Sequence, residues 1–232
     1  MRRLLTLPIG HPLVLAIALS VLLTWSGHNL WVDQLFVTFL HEACHGLAAL
    51  LTGGRLVQFT ISPDASGLAL TQGGIRAIIL MAGYVGSCVW GGALLFASAK
   101  RQHDGWIIAG LAGFFMLFSL LFVRNVFGLM VGVSWGLALT AVGWFTTGYF
   151  RAFVLGFLAV RTSVNATGDL ATLLHLSTGL VVTDAQLMSQ ELTLGLVPPI
   201  VFAVAIALVA LLAFFGAAWL AFVPKRRLTR QL

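Results

Sequence analysis

The sequence predicts an all-α polytopic membrane protein of about six transmembrane helices with one short β-hairpin, and three observations predict it. First, 59% of the 232 residues are hydrophobic and only 9% charged, with a mean hydropathy of +1.01, far outside the range of soluble domains. Second, the apolar residues fall in runs that approach or exceed the ~20 residues a helix needs to cross a hydrocarbon core, separated by short polar breaks. Third, the 13 Lys and Arg, which outweigh seven acids to give a formal charge of +6, sit at the ends of these runs and not along one face. That is the distribution of topology signals, and it excludes a nucleic-acid footprint. The whole chain, 1–232, is accordingly read as one integral-membrane domain with no soluble accessory domain.

The first run, 13–25, follows Met1-Arg2-Arg3. No small-residue cleavage site precedes the next hydrophobic stretch, so a retained span is expected and not a signal peptide. Ser26-Gly27-His28-Asn29 breaks the chain, with His11 and His28 at span edges where interfacial histidines are expected. The second span is 31–51. After Gly53-Gly54 the period drops to two: Val57, Phe59 and Ile61 alternate with Gln58, Thr60 and Ser62. Pro63-Asp64-Ala65-Ser66-Gly67 then supplies turn chemistry, and Leu68 and Leu70 alternate with Ala69 and Thr71 as far as Gly73-Gly74. This is a β-hairpin, the alternative being an amphipathic surface loop.

The third span, 76–99, carries small residues at Ala82, Gly83, Gly86, Ser87, Gly91 and Gly92 that let a neighbouring helix approach. A fourth covers 106–123, Arg124-Asn125 interrupts, and a fifth covers 126–147 with a second seam at Gly128, Gly132 and Gly136. Arg124 is expected to cap a span at the interface, with a cavity-lining role as the alternative. The apolar stretch 149–160 is about half the length of a span, and beyond Arg161 the chain enters Thr162-Ser163-Val164-Asn165-Ala166-Thr167-Gly168-Asp169. The last span, 196–223, is started or kinked by Pro198-Pro199 and followed by Lys225-Arg226-Arg227. Cys44 and Cys88 lie in apolar segments and offer no disulfide framework.

Within the second span stands His41-Glu42-Ala43-Cys44-His45. Helix positions four apart share a face, so His41 and His45 can present two imidazole nitrogens to one metal ion with Glu42 beside it. Two histidines plus a third protein ligand leave a zinc position open for water, and a neighbouring carboxylate can take that water's proton. Near the centre of a bilayer core roughly 30 Å thick, three ionisable residues are costly unless something binds them. Of the other acids, Asp33 stands at its own helix start, Asp64 in the hairpin turn and Asp104 in a loop, which leaves those between 161 and 194: Asp169, Asp184 and Glu191. Asp169 opens an apolar run at helical spacing (Leu170, Leu173, Leu174, Leu176) and can sit on a helix packed against the motif helix. It can also serve as a helix N-cap.

Several stretches together carry a resemblance: His41-Glu42-Ala43-Cys44-His45-Gly46 with Leu51-Thr52-Gly53-Gly54 after it, the hairpin, Ala82-Gly83-Tyr84-Val85-Gly86, Arg124-Asn125-Val126-Phe127-Gly128, and the segment D-x-x-x-L-x-x-L-S-T from Asp169. The chain resembles the M50 metallopeptidases, the site-2 protease class, in their short M50B-like branch. In that class an aspartate in an L-D-G context supplies the third zinc ligand, and the resemblance implies that Asp169 does so here. This chain instead has Gly168-Asp169-Leu170, lacks an N-x-x-P-x-P stretch, and has Cys44 where glycine is frequent.

The expectation is a zinc-dependent intramembrane endopeptidase with Zn2+ on His41, His45 and Asp169, and with Glu42 as base and then acid. Its partners would be membrane lipid and a transmembrane protein or peptide substrate. An edge strand beside the site would hold that substrate extended. A non-catalytic binding module on the same fold would have no need of Glu42. A metal transporter would want several sites along a path, and beyond His175 the spans offer none. Arg2 and Arg3 at one end and Lys225, Arg226, Arg227 and Arg230 at the other place both termini in the cytoplasm of a plasma-membrane protein. Six crossings satisfy this, though they leave Lys100 and Arg101 outside, and a crossing by 149–160 would make seven.

Overall fold

Eight helices and one antiparallel two-stranded hairpin make up the residues described by the computed structural model, 11–26, 30–100, 104–177 and 182–222. His28 and the terminal basic residues on which the topology expectation rests lie outside them. The order is α1 (Pro12–Trp25), α2 (Trp31–Leu51), β1 (Arg55–Ile61), β2 (Gly67–Gln72), α3 (Arg76–Lys100), α4 (Asp104–Phe122), α5 (Val126–Phe145), α6 (Gly148–Leu176), α7 (Asp184–Thr193) and α8 (Pro199–Phe222). Five of these, α2, α3, α4, α5 and α8, are long and apolar enough to cross a membrane, and the chain is a multi-pass membrane protein.

Two expected spans come out differently. Helix α1 has 14 residues, about 21 Å at 1.5 Å per residue, and is too short to cross a ~30 Å core alone. The stretch 149–160 is no short segment before a loop: α6 continues without a break through Arg161 and Asp169 for 29 residues, about 43 Å. Its polar residues are turned inward. Arg161 is fully buried and Asp33, in the first turn of α2, is 3% exposed. The guanidinium pairs with the Asp33 carboxylate and donates to Thr24 Oγ1 at 2.9 Å, while Asn165 donates to Asp33 Oδ2 at 3.4 Å. A charge paired inside the bundle does not end a membrane helix. Asp169, within α6, is therefore not an N-cap.

The hairpin forms, but the alternating leucines of β2 pair with polar residues of β1, Leu68 with Thr60 and Leu70 with Gln58, and are exposed. Phe59 and Ile61 on β1 are fully buried, and the turn is tied by Asp64 Oδ1, which accepts from the Ser66 backbone N–H at 3.0 Å and from its hydroxyl at 2.7 Å. Gly73 and Gly74 end it with φ of +71° and +74°, a conformation glycine adopts without strain. The outer edge of β1 is closed by the α4–α5 connection. Arg124 N–H donates to Phe59 O at 2.8 Å, and the Asn125 side-chain amide makes both hydrogen bonds to the Ile61 backbone. Arg124 itself caps α4, its guanidinium donating to Leu121 O and Val123 O, as expected for an interfacial residue. Since Phe59 and Ile61 point their backbone groups outward, the alternation of an antiparallel ladder turns those of their partners Ala69 and Gly67 to the opposite, open edge of β2.

Two cores flank the motif helix. On one side Phe36, Phe39, Phe59, Phe115 and Phe118 stack with centroids 4.6 to 5.9 Å apart and lock α2 to β1 and α4. The seam on α5 packs as its spacing implies, a Cβ on Gly132 or Gly136 meeting Ser119 or Met116 of α4. On the other side Leu80, Leu170, Leu173, Met188, Ile206 and Ala210 join α3, α6, α7 and α8. The histidines lie between the cores.

Candidate metal centre and cleft

Helix α2 presents His41 and His45 on one face, as their spacing requires, with Nε2 atoms 3.1 Å apart. Two nitrogens on one tetrahedral zinc at ~2.0–2.1 Å stand about 3.3 Å apart. His45 Nδ1 lies 2.6 Å from Ile79 O of α3. A carbonyl only accepts, so Nδ1 carries the proton and Nε2 keeps its lone pair for a metal, the usual outer contact of a ligating histidine. His41 packs edge-on against Tyr84 of α3, centroids 4.7 Å apart at 85°, which fixes its ring.

Helix α3 passes close to the two nitrogens at Gly83: a Cβ there would lie 2.3 Å from Nε2 of both histidines, so only glycine allows this approach. The small residues of α3 were expected to serve helix packing. Gly86, Gly91 and Gly92 do so against Cys44, Ser163 and Ala217, and Gly83 does so against the two histidine rings.

Among the described residues the group able to share one ion is His41, His45 and Asp184, with ligand atoms within 4.8 Å of one another. Asp184 Oδ2 stands 3.8 Å from His45 Nε2. Asp169, the acid expected there, is not in this group. It lies on α6 across the cleft, lining a 220 Å³ space with Thr38, His41, Glu42, Gly67, Tyr84 and Thr172, and an adjoining 250 Å³ polar space with Gln34, Asp64 and Asn165. Asp184 opens α7, a ten-residue helix whose capping box pairs Thr183 with Gln186 and fixes its start. The sequence signal for this helix start was present in Thr183-x-x-Gln186. At the other end of α7, Glu191 receives two hydrogen bonds from Arg76, at 2.6 and 2.9 Å, which hold its carboxyl below the usual range.

Glu42 lies under the open edge of β2. A Cβ on Gly67 would be 2.5 Å from Glu42 Cγ and 2.8 Å from Thr38 Cγ2, so the strand approaches this closely only with glycine there. Thr38 donates to Ala65 O at 2.8 Å, and the Ala69 backbone hydrogen-bonds to the Glu42 carboxylate. The arrangement places a base, two imidazole nitrogens and an extended edge around one space. The family model described as Peptidase M50B-like matches residues 14–217. No curated protein and no solved structure matches the chain.

Proposed function

The chain belongs to the Peptidase M50B-like family, and from that membership and the site geometry we propose that it is a zinc-dependent intramembrane endopeptidase acting on transmembrane proteins or peptides. The observation that carries the reading is the convergence of His41, His45 and Asp184, with ligand atoms within 4.8 Å of one another and the His45 Nε2 lone pair left free by the Nδ1–H contact to Ile79 O, a donor set that suits zinc. His41, His45 and Asp184 would hold the metal, Asp184 taking the place expected of Asp169 because it alone of the two reaches the histidines. Zinc bound there supplies a Lewis acid for the peptide carbonyl and lowers the pKa of water.

The remaining chemistry belongs to the chain. Glu42 accepts the proton of the attacking water and returns it to the leaving amine. A substrate must be unwound before its backbone can be reached, and the open edge of β2 offers Gly67 and Ala69 for pairing. A strand added there takes over the Ala69 N–H and releases the Glu42 carboxylate toward the water. Tyr84 holds the His41 ring, and Asp169, Thr38 and Thr172 keep the cleft wet at membrane depth.

Metal analysis beside cleavage tests this. Wild type is expected to carry one zinc per chain and His41→Ala none. Glu42→Gln keeps zinc and fold but loses cleavage by several orders of magnitude, because nothing positioned can take the proton. Proteolysis retained with Gln at 42 removes Glu42 from the mechanism.

A further inference from the structure

Arg76 touches three elements at once. It begins α3, its Nε and Nη2 reach both carboxylate oxygens of Glu191 on α7, and its Nη1 donates to Thr71 Oγ1 on β2 at 3.1 Å. Helix α7 is short, and it is bounded on its far side by Leu194 and Gly195, with φ of +52° and +80°. Its first residue is Asp184, so the angle at which α7 lies on α3 sets how far that carboxylate reaches toward His45. Fork-to-fork pairing of guanidinium and carboxylate fixes direction as well as distance, which a lysine cannot do.

We propose that Arg76 and Glu191 are positioning residues for the metal centre: their bidentate pair clasps α7 to the start of α3 and holds Asp184 at the histidines, while the bond to Thr71 ties the same clasp to the substrate-facing hairpin. This rests on Asp184 being a ligand. The clasp lies two turns along α7 from that ligand, and the Arg76 and Glu191 side chains are each about a third exposed, so the ion is held by the clasp indirectly and the pair can be exchanged without opening the core.

The experiment is zinc affinity of the full-length protein in detergent, measured by competition with a chromophoric chelator, with thermal melting of the same samples. Asp184→Ala is expected to lose stoichiometric zinc. Arg76→Ala and Glu191→Ala are each expected to weaken zinc about tenfold, the low end of what outer partners of metal ligands are worth. Arg76→Lys, which keeps the charge and loses the fork, is expected to weaken it as well. The exchange Arg76→Glu with Glu191→Arg should restore affinity to within about twofold of wild type. If Asp184→Ala keeps its zinc, the ligand assignment falls and the clasp with it. If Asp184→Ala loses zinc while both single clasp variants bind as wild type, the ligand stands and the clasp is overturned. An exchange that restores melting temperature but not zinc affinity also overturns it, since the pair would then serve only stability.

Discussion

An alanine at position 83 adds one carbon, and that carbon would stand 2.3 Å from Nε2 of both His41 and His45. The imidazoles cannot both withdraw, because His45 is tethered to Ile79 O and His41 is packed on Tyr84. Gly83→Ala is therefore expected to leave helix content unchanged and to abolish stoichiometric zinc, read by metal analysis. A variant that binds zinc as wild type would show that the metal sits elsewhere. The acids are separable in the same way. Asp184→Ala should lose zinc and cleavage together, whereas Asp169→Ala should keep zinc and change cleavage alone, since Asp169 lines the cleft without reaching the histidines. The reverse result would restore Asp169 as the ligand. That His41 and His45 face one another was legible because a local spacing of four carries that geometry. Which acid lies nearest them was not, because nothing local to residues 169 or 184 records which of them a neighbouring helix brings within 4 Å.

At the scale of elements, the polar run that follows Arg161 was misleading for a physical reason. Hydropathy weighs a buried, paired arginine as if it faced lipid or water, and here it faces Asp33. The pair joins α6 to the start of α2 and, through Thr24, to the end of α1, while Asp33 Oδ1 has no hydrogen-bond partner among the described residues. Removing one partner leaves the other charge buried, so Arg161→Met is expected to cost about 3–5 kcal/mol, and Asp33→Leu combined with Arg161→Met much less than the single change. Thermal melting in detergent checks this. A double variant less stable than Arg161→Met would show that the side chains stabilise by separate contacts and not as a pair. The existence of the hairpin, by contrast, was readable, because period two and a Pro-Asp-x-x-Gly turn are local signals, but the leucines of β2 face away from Phe59 and Ile61. Its closure by the Asn125 amide was not readable, since that contact spans 64 residues.

The directions of the helices revise how six crossings are counted. Helix α3 runs antiparallel to α6: Ser98 meets Ala152 O, Gly91 meets Ser163, and Gly83 stands at the histidines across the cleft from Asp169. Helix α6 thus covers the same depth as α3 and crosses with it. Helices α1 and α2 both run in the sense of α6. Leu13 and Ala16 lie at Gly156, Thr24 and Asp33 at Arg161, and Glu42 shares the cleft with Asp169, so the two stack as one broken crossing. Helix α4 starts and α5 ends beside the start of α6, where Asp104 meets Gly148 and Arg151 donates to Gly143 O. Helix α8 leaves α7 near Arg76 and reaches Gly92 by Ala217, parallel to α3. We predict that the crossings are α1 with α2, then α3, α4, α5, α6 and α8: six again, with α6, which is not among the five helices apolar enough to cross alone, in place of a separate first span. This brings Lys100 to the side of the termini and leaves Arg55, Arg76 and Arg124, at the hairpin end, on the other. Lys100 ends α3 on the side from which α1 enters and toward which α8 runs, and the positive-inside rule predicts that this side is cytoplasmic. Single cysteines placed at positions 3, 102 and 228 in a chain whose Cys44 and Cys88 are replaced, and labelled in sealed vesicles with a membrane-impermeant maleimide, should all react from the same side. A cysteine at 53, at the base of the hairpin, should react from the other. Labelling of position 102 from the side opposite to position 228 would refute this path and return α1 and α2 to two separate crossings.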